Sequence, residues 1–125
     1  MKIVQPVQSP KPAGPYNHGV ITGNLVFCAG QIPLDPVTGN VVGSTIEEQT
    51  TRVFENIKLV LADAGSALSK IVKVTVYLKD MNDFAGMNKI YMQYIASNFP
   101  ARSTLQVARI PKDVLVEIEV IAEVN

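Results

Sequence analysis

The segment 99–124, "FPARSTLQVARIPKDVLVEIEVIAEV", contains the residues best suited to chemistry. Arg102 stands at the start of one apolar run, and Glu117 and Glu119 share one face of the next. An arginine binds a planar carboxylate through two parallel N–H···O bonds, and a carboxylate nearby can position or activate water. Two interpretations remain open at this point. One is a site for a small carboxylic acid, and the other is a surface ion pair beside a solvated strand face.

Few other side chains in the sequence could carry a reaction. His18 and Cys28 are the single histidine and cysteine of the chain, which disfavours a metal site or a histidine-assisted nucleophile. We interpret His18 as a turn or edge residue and Cys28 as a small buried hydrophobe. No phosphate-binding loop or dinucleotide fingerprint is present. The remaining candidates are Tyr16, Asn88 and the polar backbone near Gly30.

Composition predicts a single domain spanning residues 1–125 of a soluble, cytoplasmic protein. Apolar residues make up 47% of the chain and charged residues 18%, and this length can bury a core without disulfides. Eleven basic residues balance eleven acidic ones, which argues against a broad nucleic-acid or anionic-membrane surface. The single cysteine fits a reducing compartment. No segment approaches the roughly 18 uninterrupted apolar residues of a membrane span.

The first quarter of the chain predicts an arm followed by a hairpin. The proline-rich segment Pro6–Pro15 is expected to be extended rather than a regular element. Two β-rich runs, near 18–22 and 25–29, flank the pair Gly23-Asn24, a dipeptide typical of a tight hairpin turn.

A helix is predicted over about 45–64. Ser44 and Glu47 have the spacing of a capping box, and Gly65 stands where the helix would end. The apolar residues between them recur with the period of one buried helix face, at Ile46, Val53, Phe54, Ile57, Val60, Leu61 and Ala64.

The second half of the chain predicts a strand, a helix and a closing β-hairpin. The run 71–79 alternates in polarity, with Val72, Val74, Val76 and Leu78 on one side and Lys73, Thr75, Tyr77 and Lys79 on the other. A helix then begins at Asp80 or Asn82 and continues to about Asn98, where Pro100 closes it. Its apolar stripe is Phe84, Met87, Tyr91, Tyr94 and Ile95. The turn of the hairpin is expected around 110–113.

The order ββαβαββ predicts an α+β two-layer sandwich, in which both helices cover one face of a single sheet. Alternate residues of the last strand belong under the helices: Val114, Val116, Ile118, Val120, Ala122 and Val124. The opposite parity mixes apolar residues with carboxylates, as do Thr75 and Tyr77 on the central strand. A half-apolar face of this kind predicts a subunit interface. The alternative is an ordinary amphipathic strand with two exposed apolar residues.

Five motifs together resemble the imine deaminases of the YjgF/UK114 family, also called reactive intermediate deaminase A: "GPYNHGV", "GQIPLDPVTG", "VKVTVYLKDMNDFAGMN", "NFPARSTLQVARIPKD" and "VEIEVIA". The resemblance implies a chorismate-mutase-like fold, assembled as a homotrimer with active sites between subunits. It also implies hydrolysis of 2-iminobutanoate and 2-iminopropanoate to the 2-oxoacid and ammonia, without a cofactor.

The resemblance also implies roles for individual residues. Arg102, in "FPARS", matches the arginine that binds the substrate carboxylate, and Glu117 matches the acid that holds the attacking water. Tyr16, in "GPY", matches a wall of the pocket. Asn88 matches an asparagine near the cleft, and Gly30 contributes backbone polar groups.

Two positions depart from the family pattern. Ala29 replaces a frequent serine, and Thr104 replaces a frequent cysteine two positions after the arginine. Both are expected to contact substrate, so its preference or rate is open, but the pair Arg102 and Glu117 is retained. One alternative is therefore a non-catalytic trimer that binds small 2-oxoacids. A less supported alternative is an endoribonuclease or translation inhibitor, because the sequence has no net charge and no basic stripe with interleaved aromatic residues.

Overall fold

The computed structural model of the chain describes residues 1–9 and 11–124. Its helices and strands follow the order βββαβαββ, and their bounds are β1 Lys2–Val4, β2 Gly19–Thr22, β3 Leu25–Cys28, α1 Ile46–Asp63, β4 Ile71–Leu78, α2 Phe84–Tyr94, β5 Ala101–Gln106 and β6 Val116–Glu123. The predicted order lacked β1, which pairs antiparallel with β2. Apart from Pro10, which lies outside the described residues, the predicted arm Pro6–Pro15 forms no helix or strand.

The strands form one mixed sheet in the order β1-β2-β3-β6-β4-β5. Every pair is antiparallel except β4 and β5, which are parallel. The prediction of a closing hairpin is therefore wrong, because β4 lies between β5 and β6. A parallel pair needs a crossover connection, and α2 supplies it between β4 and β5. The consequence is that β5 is an edge strand.

Both helices pack on one face of the sheet, which confirms the two-layer α+β sandwich. The predicted apolar face of α1 is buried from Ile46 to Ala64. The predicted inward parity of the last strand is also confirmed. The alternate residues Val114, Val116, Ile118, Val120 and Ala122 are each at most 2% exposed. The hairpin of β2 and β3 turns at Gly23, whose φ of 58° suits glycine.

The N-terminus of α1 has a capping box one residue later than predicted. Thr45 Oγ1 accepts a hydrogen bond from the Glu48 backbone N–H at 3.1 Å, and Glu48 Oε1 accepts one from the Thr45 N–H at 3.1 Å. Ser44 contributes its backbone N–H to Glu48 Oε1 at 3.2 Å. The helix ends at Asp63, and Gly65 follows with a φ of 76°, as expected of a residue just past a helix.

A β-bulge alters the predicted alternation at the start of β4. The pairing with β6 shifts between Ile71 and Lys73, so Ile71 is buried and Val72 is 40% exposed. The assignment of Val72 to the buried side was therefore wrong, whereas Val74 and the later members of that set are fully buried.

Helix α2 is shorter than predicted at both ends. A 3-10 turn, Met81–Asp83, precedes it and is capped by Asp80 Oδ1, which accepts from the Asn82 N–H at 2.8 Å. The helix ends at Tyr94 rather than at Asn98. Asn98 has a φ of 52°, in the left-handed region that cannot continue a helix.

Among the residues that the structure describes, no helix covers the second face of the sheet, called here the open face. The register places Val20, Phe27 and Ile121 in one row across it. Phe27 is 42% exposed, and Leu105, on the edge strand, is 41% exposed. Within residues 1–9 and 11–124, neither helix is long and apolar enough to cross a membrane.

Candidate active site

Glu117 lies on the open face, against the loop that follows β3. The backbone of Gln31 bonds that of Ile118 in both directions, with N···O distances of 2.8 and 3.1 Å. This bridge presses the backbone of Gly30 against the Glu117 side chain, so closely that a Cβ on residue 30 would collide with the carboxylate. Residue 30 must therefore be glycine for Glu117 to keep this position.

A cavity of about 880 Å³ opens beside Glu117. Its walls come from the N-terminal arm, the loop 29–39 and the turn before β6. Tyr16, Ala29, Gly30 and Glu117 all line it, so the structure brings four of the predicted site residues together. We call these residues the Glu117 cluster.

The surroundings of Glu117 favour its protonated form. Burial raises the pKa of Glu117, and the negative charge of Glu119 raises it further. Glu119 is itself hydrogen-bonded, since Tyr77 donates its hydroxyl to Glu119 Oε1 at 2.5 Å. This bond is the largest reason that the pKa of Tyr77 rises to about 12. A half-buried carboxylate with a raised pKa is suited to hold water and to accept its proton.

Arg102 belongs to a second cluster, on the side of β5 that faces the helices. Its Nη1 donates to Asn88 Oδ1 on α2 at 2.8 Å. The guanidinium carbon lies 4.5 Å from the ring centre of Tyr91 and 5.5 Å from that of Phe84. Thr104 follows two residues later on the same face, and its buried Oγ1 has no hydrogen-bond partner among the described residues. We call this group the Arg102 cluster.

A single chain keeps the two clusters apart. Glu117 pairs with Tyr77, and Tyr77 pairs with Leu105 on β5. Arg102 stands three residues before Leu105, so it points to the opposite face of the sheet. Strand spacing and rise place the α-carbons of Arg102 and Glu117 about 14 Å apart. The expectation that the arginine lies near this carboxylate is therefore wrong within one chain.

His18 and Cys28 occupy structural positions near the cavity. His18 lies in a bend immediately before β2, in keeping with a turn residue, and it is buried, with its Nδ1 3.1 Å from Gln31 Nε2. Cys28 is buried as predicted, and burial raises the pKa of its thiol to about 12, which disfavours the thiolate. In the part of the chain that the structure describes, no three His, Cys, Asp or Glu side chains are grouped as metal ligands would be.

Phe84 and Tyr91 belong to the predicted apolar stripe of α2, but their contact with Arg102 was not predicted. Phe84, Asn88 and Tyr91 are spaced by four and three residues, which places them on one helix face. This spacing could have indicated a contact with Arg102, because it places the polar Asn88 between two aromatic rings on one helix face.

Comparison with known proteins identifies the family. Residues 6–124 match the family described as Endoribonuclease L-PSP. A RutC family protein of Pyrococcus abyssi is 56% identical over 115 residues, which are 92% of this chain and 91% of that protein. The solved structure of the YjgF gene product of Escherichia coli superposes with a TM-score of 0.93, at 41% identity and 98% coverage of both chains. The chain belongs to the YjgF/RidA family.

Another YjgF/RidA relative carries a functional name. Escherichia coli K12 has a protein named "Putative reactive intermediate deaminase TdcF", 42% identical over 124 residues, which are 97% of this chain and 95% of that protein. A crystal structure of E. coli TdcF with bound serine superposes with a TM-score of 0.94, at 41% identity and 100% coverage of both chains. The name of TdcF is therefore that of a putative deaminase, and its crystal structure holds an amino acid.

Proposed function

We propose that this protein hydrolyses small 2-imino acids, such as 2-iminobutanoate and 2-iminopropanoate, to the 2-oxo acid and ammonia. The observation that carries the proposal is the pair of clusters, one presenting a fixed guanidinium and the other a half-buried carboxylate beside a cavity. TdcF supports it by name, and the serine in its structure has the carboxylate and the nitrogen-bearing carbon of a 2-imino acid.

We further propose that each site lies between two subunits of a homotrimer. One small molecule cannot reach both Arg102 and Glu117 of the same chain, so a second copy must supply one of them. The open face offers the contact surface, since burying side chains such as Phe27 and Ile121 stabilises an assembly by roughly 1.5–3 kcal/mol for each that becomes fully buried. A cyclic threefold arrangement repeats one contact three times and closes.

Glu119 already accepts a hydrogen bond that would lower the cost of burying it in such a contact. An unpaired carboxylate covered by a neighbouring subunit would be costly to desolvate. The Tyr77 hydroxyl already donates to it, so part of its hydrogen-bonding need is met within the chain.

In the proposed reaction, Arg102 binds the substrate carboxylate. A guanidinium has five N–H donors, and its Nη1 donates to Asn88, which leaves the other nitrogens to meet two carboxylate oxygens. Thr104 adds a hydroxyl whose oxygen has no hydrogen-bond partner within residues 1–9 and 11–124, and Tyr16 and Ala29 shape the opposite wall. The substrate is thereby oriented with its C=N carbon toward Glu117 of the neighbouring subunit.

Glu117 then acts on water. The carboxylate accepts a proton as the water oxygen bonds to the C=N carbon, and it passes that proton to the nitrogen to give a carbinolamine. Glu117 then accepts the proton of the carbinolamine hydroxyl and passes it to the nitrogen as the C–N bond breaks, releasing ammonia and leaving the C=O of the 2-oxo acid. These imines hydrolyse in water, so lowering the barrier by on the order of 3–6 kcal/mol, or 10²–10⁴-fold in rate, is sufficient.

A coupled assay tests the proposal. Threonine dehydratase generates 2-iminobutanoate in the presence of semicarbazide, and hydrolysis by this protein competes with the trap. We expect the wild type to lower the initial rate of semicarbazone formation, since the product 2-oxobutanoate reacts with semicarbazide more slowly than the imine does. Arg102→Ala should lose nearly all of this effect, and Arg102→Lys should be poor because an ammonium lacks the planar fork. A wild type that binds 2-oxobutanoate without hydrolysing the imine would instead be a non-catalytic binder.

The family description also names an endoribonuclease. Here the formal charges cancel and the single histidine is buried, so neither a basic RNA-binding stripe nor an exposed histidine pair supports that chemistry. RNA binding measured across salt concentrations separates the two functions. A steep loss of affinity with salt would favour the nuclease.

A further inference from the structure

Three side chains of α2 contact the guanidinium of Arg102. Arg102 lies on the edge strand β5, which is paired with β4 on one side. Helix α2 supplies the ring of Phe84, the amide of Asn88 and the ring of Tyr91 from one face. Both rings lie within the roughly 6 Å at which a cation interacts with an aromatic face.

A single hydrogen bond does not fix the plane of a guanidinium. The bond from Nη1 to Asn88 fixes one atom and by itself does not prevent the group from rotating about that atom. Two-point binding of a carboxylate requires the plane of the fork to be fixed as well. Aromatic faces at 4.5 and 5.5 Å restrict that rotation.

Tyr91 is itself rigidly held. It is 5% exposed, and its ring meets that of Phe54 edge to face, with centres 5.8 Å apart. Burial raises the pKa of Tyr91, while the charge of Arg102 and a side-chain hydrogen bond with Arg102 act in the opposite direction. Because the phenol therefore stays neutral at neutral pH, Arg102 meets it as an aromatic face and not as a phenolate partner.

We propose that Tyr91 and Phe84 are positioning residues that hold the Arg102 guanidinium in the plane needed for carboxylate binding. The proposal rests on the proposed function in one respect, which is that the bound group is the carboxylate of a 2-imino or 2-oxo acid. The two residues act through Arg102 and need not touch the substrate.

Tyr94 provides a matched control on the same helix. Its ring stacks on Phe54, with centres 4.9 Å apart and planes within 9°, so its removal disturbs the same part of the core as removal of Tyr91. Its hydroxyl donates to Glu55 on α1, and Arg102 stacks on Tyr91 rather than on Tyr94. A merely structural role for Tyr91 would make the two leucine variants alike.

The test uses two measurements. Calorimetry gives the affinity for 2-oxobutanoate, and NMR of the ligand-free protein gives the Nε–Hε resonance of Arg102. That resonance is assigned by its loss in Arg102→Lys. Tyr91→Leu is expected to raise the Kd about tenfold and to remove the part of the ring-current shift of that resonance that Tyr91 contributes, since the Phe84 ring remains beside the guanidinium. The Kd values of Tyr91→Phe and Tyr94→Leu are expected to stay within about twofold of wild type. Equal Kd values for Tyr91→Leu and Tyr94→Leu, or an unchanged resonance, would overturn the proposal.

Two further outcomes are distinguishable. If Tyr91→Leu does not fold, Phe84→Leu replaces it, with an expected rise in Kd of about threefold because Phe84 is half-buried and farther from the guanidinium. If wild type neither binds 2-oxobutanoate nor hydrolyses 2-iminobutanoate, the proposed function fails, and the Arg102 resonance alone decides whether the rings position the arginine.

Discussion

Glu117 is placed for its role by its immediate neighbours. Its pKa is raised first by burial and then by the negative charge of Glu119, two residues along the same face. The sequence could indicate the residue types and their shared face. It could not show that the loop at Gly30 is bridged to β6 and closes over this side chain, because that bridge joins segments far apart in the chain.

The charge of Glu119 provides a prediction for the pH dependence of hydrolysis. A second negative charge nearby disfavours ionisation of Glu117, so Glu119→Gln lowers the pKa of Glu117, although the larger contribution of burial remains. Glutamine can still accept the Tyr77 hydrogen bond. The acid limb of the kcat/KM profile should therefore move to lower pH, while Glu123→Gln, at the exposed end of β6, leaves it in place. An acid limb that stays fixed or moves to higher pH would contradict this account.

Gly30 provides a second prediction. A methyl group at this position collides with the Glu117 carboxylate, whereas a methyl at Gly14, which lines the same cavity, meets Tyr16 at an ordinary 3.6 Å. We expect Gly30→Ala to lower kcat/KM by about 10- to 100-fold through misplacement of Glu117, and Gly14→Ala to change it little. Circular dichroism should show that both variants fold, and equal activity of the two would contradict the assignment.

At the scale of elements, the contribution of the α1 capping box to stability can be measured directly. Thr45→Ala removes the side-chain oxygen that accepts from the Glu48 N–H, and should lower the free energy of unfolding by about 1 kcal/mol. Ser44→Ala keeps the backbone N–H that Ser44 contributes, so it should have a much smaller effect. Urea denaturation at one fixed protein concentration compares the two variants, since the proposed assembly would make apparent stability depend on concentration. A larger loss for Ser44→Ala would support the box predicted one residue earlier.

The elements that the sequence predicted correctly are those with a local signal. The period of α1, the turn at Gly23 and the alternation of β6 each follow from residues close in the chain. Strand β1 has only three residues, too few to show a period. The shift at Val72 depends on the register between β4 and β6, which no local pattern reports.

The error at the C-terminus has a different physical origin. Strands β5 and β6 follow each other along the chain, and strands that are consecutive in sequence commonly pair as a hairpin. Here β4 is already the parallel partner of β5, and its other edge pairs with β6. The same arrangement places Arg102 under α2 and Glu117 on the open face, so an error in strand order was also an error about the site.

At the scale of the whole molecule, the separation of the two clusters decides how the protein can work. The proposed reaction needs Arg102 and Glu117 at one substrate, yet the register places them on opposite faces of the sheet, about 14 Å apart. A site assembled from two chains resolves this, because the partner chain brings its own copy of the missing cluster. Activity is then a property of the assembly and should disappear on dissociation.

Complementation between two inactive variants tests this claim most directly. Arg102→Ala retains Glu117, and Glu117→Gln retains Arg102, so each variant carries one intact cluster. The two are unfolded, mixed in equal amounts and refolded together, and each variant is treated in the same way alone as the control. In randomly mixed trimers about one site in four receives both native residues, so the mixture should recover about a quarter of the wild-type rate of 2-iminobutanoate hydrolysis. A mixture as inactive as its separate components would contradict a site shared between subunits.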